Sequence, residues 1–290
     1  MPVSQSPVPP LPYQVVVAAL DNVEATPSAD EHPALLLASR LAKPLGARLE
    51  IFHADLGTGA VAPEVAMAVQ RLGRGLDAEA VLAPLSGAPG RPGRLLATHL
   101  DDLDREVGQQ DAGLAVMGSH GRRPLAATLL GSTTGDVLSS SGRPVAIAGP
   151  AYRPDVAPAR VACCLDGSAR AESMLELAAG WSHALGVPLW LVRAVADLPP
   201  LAWDDERSYL AKLVADLAAR GVAAERELVG ERHPSVGLVA WLNERPGTMA
   251  LLATHGRTGL AAVTMGGTAG AVVRHAHGPL LLRRPPDLAP

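Results

Sequence analysis

The sequence predicts two related α/β domains in tandem, each an open parallel sheet with helices packed on it. Three observations carry this. The second half of the chain repeats landmarks of the first. Within each copy, short apolar runs alternate with segments of helical period. The apolar residues are almost all aliphatic. Hydrophobic residues make up 48% of the 290 residues and charged residues 19%, which is a globular composition. Aromatics reach only 3%, with Phe52 the single phenylalanine. The core therefore falls to Ala, Val and Leu, residues that suit strands buried beneath helices.

The repeat is read from paired landmarks. Val15 to Asp21 resembles Val161 to Asp166, each an apolar run that stops at an Asp. Met117-Gly118-Ser119-His120-Gly121-Arg122 resembles Leu252-Ala253-Thr254-His255-Gly256-Arg257. Gly131-Ser132-Thr133 lines up with Gly266-Gly267-Thr268, and Pro144 with Pro279. Asp166 lies 145 residues after Asp21, but Gly256 lies 135 after Gly121. The first copy thus carries ten extra residues between its Asp and its glycine motif, and surface loops tolerate such insertions. Between the copies, Pro150, Pro154 and Pro158 mark a linker, because proline neither continues a helix nor donates to a ladder. The expected organisation is a Pro-rich tail over 1–12, a first domain over 13–149, a linker over 150–159 and a second domain over 160–285.

In the second copy, Val161 to Leu165 reads as a strand and Ala169 to Leu185 as a helix stopped by Gly186. Pro188 to Val195 is the next strand. Asp204 to Arg220 is an amphipathic helix with Leu210, Leu213, Val214 and Leu217 on one stripe. Ala224 to Val229 is a strand, Ser235 to Asn243 a helix and Met249 to Ala253 a strand. A helix near Gly267 to His275 and a strand over Leu280 to Arg283 close the copy. The first copy follows the same order with weaker signals: strands at Leu49 to Ala54 and Gly113 to Met117, helices at Glu64 to Leu72 and Leu95 to Val107. Such alternation implies parallel strands with right-handed crossovers.

Chemistry concentrates in the glycine motif. Gly118-x2-Gly121 is followed by nine residues and Gly131-Ser132. The loop begins where an apolar strand ends and leads to Ser132, Thr133 and Thr134, which are candidate caps. A glycine-rich loop entering a helix presents unpaired N–H groups and the positive end of the helix dipole, which phosphate oxygens accept. Asp21 and Asp166 end the first strands, on the sheet edge where open α/β proteins bind ligands. A carboxylate there accepts from a ribose hydroxyl or an adenine amine. A helix-capping role for Asp166 weighs about equally, since Asp166-Gly167-Ser168 starts a helix well. His120 and His255 precede the second glycine, with Arg122, Arg123 and Arg257 after it; such residues could touch phosphate, but the histidines read better as exposed loop residues. No Gly-Lys-Ser/Thr follows the glycines, so this is not a Walker loop, and the glycines follow the fourth strand, not the first as in a dinucleotide fingerprint.

Other classes are excluded or weakened. Lys and Arg number 25 against 29 Asp and Glu, for a net charge of −4, which argues against broad nucleic-acid binding. The adjacent pair Cys163 and Cys164 points to opposite faces of a strand, so a disulfide between them is disfavoured. Nothing has metal-ligand spacing. No signal peptide and no apolar run of about 18 residues is visible, so the expected location is cytoplasmic, with no membrane contact.

These residues resemble the universal stress protein family, whose nucleotide-binding members carry Gly-x2-Gly-x9-Gly-Ser/Thr after strand four and an Asp after strand one. The first copy matches the glycine pattern in full at Gly118, Gly121, Gly131 and Ser132. The second has the better Asp166-Gly167-Ser168 opening and the typical ending from Val272 to Leu280. The resemblance covers nearly the whole chain and implies a five-stranded parallel sheet per domain, in the order 3-2-1-4-5. The two domains would pair through their fifth strands as an internal pseudo-dimer; whether whole chains pair further stays open. ATP, or ADP or AMP, would lie over the strand ends, with any Mg held through its phosphates. Asp21 and Asp166 would face the nucleoside. Ala54 and Ala194 would line the adenine pocket. Gly118, Gly121, Gly131, Ser132 and Thr133 would hold phosphates, with Thr254, Gly256, Gly266 and Thr268 at matching positions of the second copy.

The copies depart from the pattern in different places. Ala253 replaces the first glycine of the second motif, and Gly267 takes its Ser/Thr position. Asp21 is followed by Asn22-Val23, not Gly-Ser. The first site is therefore expected to hold phosphates better. The implied role is regulatory nucleotide binding in a stress response, with little or no catalysis. A slow ATPase or phosphotransferase, and a nucleotide-independent scaffold, are the alternatives; neither glycine loop contains a Lys.

Overall fold

The computed structural model describes residues 8–20, 32–55, 63–74, 76, 79–84, 92–118, 132–196, 199–254 and 267–285. The first half runs β1 (Val15–Ala19), α1 (Pro33–Leu45), β2 (Arg48–Asp55), α2 (Pro63–Arg74), β3 (Glu79–Pro84), α3 (Pro92–Val107), β4 (Gly113–Gly118), α4 (Ser132–Ser141) and β5 (Val145–Ala148). The second runs β6 (Arg160–Leu165), α5 (Ala169–Glu172), α6 (Leu175–Leu185), β7 (Leu189–Val195), α7 (Pro200–Ala219), β8 (Ala224–Gly230), α8 (Pro234–Asn243), β9 (Thr248–Ala253), α9 (Gly267–His275) and β10 (Leu280–Arg283).

All ten strands form one sheet, ordered β3-β2-β1-β4-β5-β10-β9-β6-β7-β8. Each half therefore has the order 3-2-1-4-5, with parallel neighbours. The halves meet at an antiparallel pair, with Leu280 opposite Ile147 and Leu282 opposite Val145. The central strands are apolar throughout because both of their faces are covered. Alternate residues feed two layers. Val16, Ala18 and Cys163 face one, with Leu35 and Trp181. Val15, Val17 and Cys164 face the other, with Leu96 and Trp241. Both layers run through both halves. The two cysteines are free and buried, and burial pushes the Cys164 thiol up to about 12, so neither is poised as a thiolate.

The structure differs from the sequence reading in several places. The helix expected over Ala169 to Leu185 breaks into α5 and α6, where Ser173 turns its hydroxyl back to donate to the Arg170 carbonyl at 2.7 Å. Helix α7 starts four residues before Asp204, with proline at its first position, where the missing N–H does no harm. Helix α1 and strand β3, which the shared order and the five-stranded sheet imply, had no residue range in the sequence reading.

The described part of the Pro-rich tail crosses to the second half. Tyr13 stacks on Trp181 with ring centroids 5.8 Å apart. Leu11 lies so close to Gly180 that a Cβ there would sit 2.6 Å from its Cδ2. The proline segment between the halves is likewise tied down. Tyr152 is buried, Arg153 N donates to the His277 carbonyl at 2.9 Å, and Arg40 donates to the Val156 carbonyl at 3.3 Å. Among the described residues no helix is long and apolar enough to cross a membrane.

Candidate functional site

In a parallel sheet each crossover helix runs back against the strands, so the helix after β4 starts at the carboxyl edge. In the first half that edge is built by three strand ends. Leu20 N donates to the Phe52 carbonyl at 2.9 Å, holding the chain to β2 one residue before Asp21. His53 Nδ1 lies 2.9 Å from the Leu20 carbonyl, a second tie at the same point. Ala54 and Gly118 flank this exit, both half-buried. Among the described residues, a Cβ on Gly118 would meet nothing nearer than the Ala34 Cβ at 4.0 Å, and its φ is not in the left-handed region. Packing against the described residues does not require glycine here.

Helix α4 begins at Ser132, with Thr133 half-buried and Thr134 buried. Its first N–H groups have no partner within the helix. Helix α3 fixes where α4 starts: a Cβ on Gly93 would lie 2.5 Å from the Thr133 carbonyl oxygen. Asp21, Gly121 and Gly131, with His120, lie outside the described residues.

The second half shows its carboxylate turn. Leu165 pairs with Arg193 at the end of β6, and Asp166 follows, exposed. Asp166 Oδ1 accepts from Ser168 N at 2.9 Å and from Ser168 Oγ at 2.6 Å. Ser168 Oγ in turn accepts from Ala171 N at 3.2 Å and is the N-cap of α5. Of the two roles weighed for Asp166, helix capping thus falls to Ser168, and Asp166 shapes the turn before it. Gly167 has φ +82°, a conformation that favours glycine.

Ala194 is half-buried near the end of β7, and Ala253 ends β9. Thr254 is 1% exposed. Its N–H and its hydroxyl both donate to the Arg283 carbonyl, at 2.8 and 3.3 Å, so its side chain serves the edge of β10. Thr268 is exposed in the first turn of α9. Gly256 and Gly266, with His255, lie outside the described residues.

The sequence reading missed a polar network beside this turn. Arg193 pairs with Glu206 of α7 through two contacts, Nε–Oε2 at 2.5 Å and Nη2–Oε1 at 2.7 Å. Its guanidinium lies 5.1 Å from the centre of the Tyr209 ring, and Tyr209 donates to Glu172 of α5 at 3.0 Å. Burial, then the bond to Glu172, raises the Tyr209 pKa, which keeps the phenol a donor. The signal available beforehand was weak: a charged residue in an otherwise apolar strand. Among the described residues, no group of three or more His, Cys, Asp or Glu could hold a metal ion.

Fold and edge together define an open-sheet α/β protein built twice, with a candidate ligand site at the carboxyl edge of each half. The sequence model of the universal stress protein family matches residues 12–149 and 159–284, and the chain belongs to that family. Universal stress proteins of Mycobacterium tuberculosis and Mycobacterium bovis are each 30% identical to it over 187 residues, which are 60% of this chain and 62% of theirs. The match thus spans less than two thirds of those relatives' length. Among solved structures, a universal stress protein of Archaeoglobus fulgidus matches with TM-score 0.62 at 16% identity, over 93% of this chain and 98% of that one. A Pseudomonas aeruginosa protein of unknown function matches with TM-score 0.63 at 16% identity, over 94% and 93%. At such identity these two speak for the fold alone.

Proposed function

We propose that this chain is a regulatory adenine-nucleotide-binding protein of the stress response. Its binding units are residues 13–149 and 160–285, and it acts in the cytoplasm with little or no turnover. The observation that carries the reading is the first half's carboxyl edge. A bare Gly118, the start of α4 and the β1 exit leading to Asp21 converge there. Backbone N–H groups at a helix start suit phosphate oxygens. A carboxylate at the neighbouring strand end suits a ribose or adenine donor. ATP fits this pairing best, with ADP and AMP sharing its nucleoside end and Mg carried by the phosphates.

For the second half a scaffold role competes. Ala253 adds a Cβ where the first half has none, and Thr254 is engaged by β10. Calorimetric titration of nucleotide-free protein with Mg-ATP separates the readings. A stoichiometry near two means both halves bind; near one supports a binding half and a structural half; no heat at several temperatures removes the nucleotide reading.

A further inference from the structure

We infer that Arg193, held by Glu206, is a positioning residue that braces the Asp166-Gly167-Ser168 turn and so sets the carboxylate of Asp166 for the nucleoside of a bound nucleotide. This rests on the nucleotide-binding reading above. The guanidinium carbon of Arg193 lies 3.0 Å from where a Cβ on Gly167 would be. The turn is thus pressed directly on the guanidinium, and only glycine permits that approach at that φ. Arg193 cannot swing away freely, because its Nη2 donates to Glu206 Oε1 at 2.7 Å within an ion pair and the Tyr209 ring lies 5.1 Å from its guanidinium. A charge-assisted hydrogen bond of this kind fixes geometry as well as charge.

The brace reaches the turn from both sides. Arg193 supports Gly167 from β7, and Tyr209 holds Glu172, which lies in the short helix that Ser168 caps. Asp166 is therefore the front of a unit whose back is β7 and α7. In the first half the corresponding place beside β1 is held by His53, whose Nδ1 meets the Leu20 carbonyl. The device belongs to the second half.

The test uses the full chain and site-resolved amide shifts, with Ala194 reporting the second half and Ala54 the first, titrated separately with Mg-ATP and with adenosine. Hydrogen exchange at Ser168 and Ala171 reads the turn without ligand. In Arg193→Ala, both amides should exchange at least roughly tenfold faster. Second-half affinity should fall about tenfold, equally for ATP and adenosine, because the phosphates do not touch the brace. Arg193→Lys should recover part of both, and first-half binding should stay unchanged. In an Asp166→Asn background the same change should weaken binding no further.

Unchanged exchange in Arg193→Ala overturns the brace. So does an affinity loss confined to ATP, or one that persists without the Asp166 carboxylate. If exchange responds but the second half of the unsubstituted protein takes up neither ligand, the nucleotide reading fails for that half and the positioning role falls with it.

Discussion

The two halves share their topology strand for strand, yet the residues at their carboxyl edges differ. The first half ends β4 in Gly118, and its α4 starts against Gly93; this is the end proposed for phosphate. The second ends β9 in Ala253, and its β6 leads into a carboxylate turn closed by Ser168 with Arg193 beside it; this is the end proposed for the nucleoside. The halves also differ just before the fifth strands. Arg143 binds Asp101 at 2.7 Å and Asp104 at 2.8 Å and reaches Asp111 at 3.4 Å. Its counterpart is Gly278, which lies against the Thr248 carbonyl with no room for a Cβ. What the halves keep in common is the ladder and the apolar strands, which specify the fold. What they vary is the loops and turns, which carry sites.

The largest expected effect separates the two phosphate ends. Gly131→Val should abolish ATP binding in the first half, a fall beyond roughly a thousandfold, whereas Gly266→Val should leave most of the chain's binding. The reverse outcome, read by calorimetry, would invert the ranking of the sites. Next come the two turns. Arg143→Ala leaves Asp104 without its buried partner and should lower unfolding free energy by about 3 kcal/mol. Gly278→Ala should do so by about 2 kcal/mol through overpacking. Equal denaturation midpoints for wild type and either variant would refute that assignment.

A smaller change works by repair. Ala253→Gly with Gly267→Ser should raise ATP affinity in the second half about tenfold, read as a second binding event in the titration. The least effect is a pH dependence. Burial opposes ionisation of Asp104, but hydrogen bonds from Arg143, Ala112 N and Asp111 N outweigh it and hold the carboxyl below its usual range. A group with a lowered folded value stabilises above its unfolded pKa, about 3.9, and loses that contribution as pH falls through the folded value. Asp104→Asn should therefore be less stable than wild type at pH 7, and the gap should shrink below pH of about 4. A gap in urea midpoints that is constant with pH would break this account.

Much of the fold was legible because its signals are local. The second half's strands and its last two helices announce themselves by period and by Gly or Pro at their ends, and the repeat doubles every clue. Contacts between distant segments left no such trace. Nothing in Pro9 to Tyr13 marks it for Trp181, and nothing in Arg193 names Glu206 thirteen residues on, on a different element. The break at Ser173 was hidden because the apolar period continues across it. For the site, the Asp-Gly-Ser turn was visible as a motif, but its division of labour was not. Which of Asp166 and Ser168 caps the helix depends on backbone geometry, and the alphabet at those positions suits both. Thr254 shows the converse: a hydroxyl in a promising motif is turned to a neighbouring strand.

The antiparallel seam between β5 and β10 has a consequence for how the molecule behaves on dilution. Two separate subunits joined along such an edge would part as their concentration fell. Here the two halves are held on one chain, joined between Ala148 and Arg160, and a short linker gives an effective concentration of roughly millimolar order. The seam also occupies the strand edge that each half would otherwise turn outward. The edges that remain are β3 and β8, at opposite ends of the ten strands, and β8 carries Glu225, Arg226 and Glu227 in succession, charges that discourage further strand pairing. The arrangement of the halves is thereby independent of how many copies of the protein a cell holds.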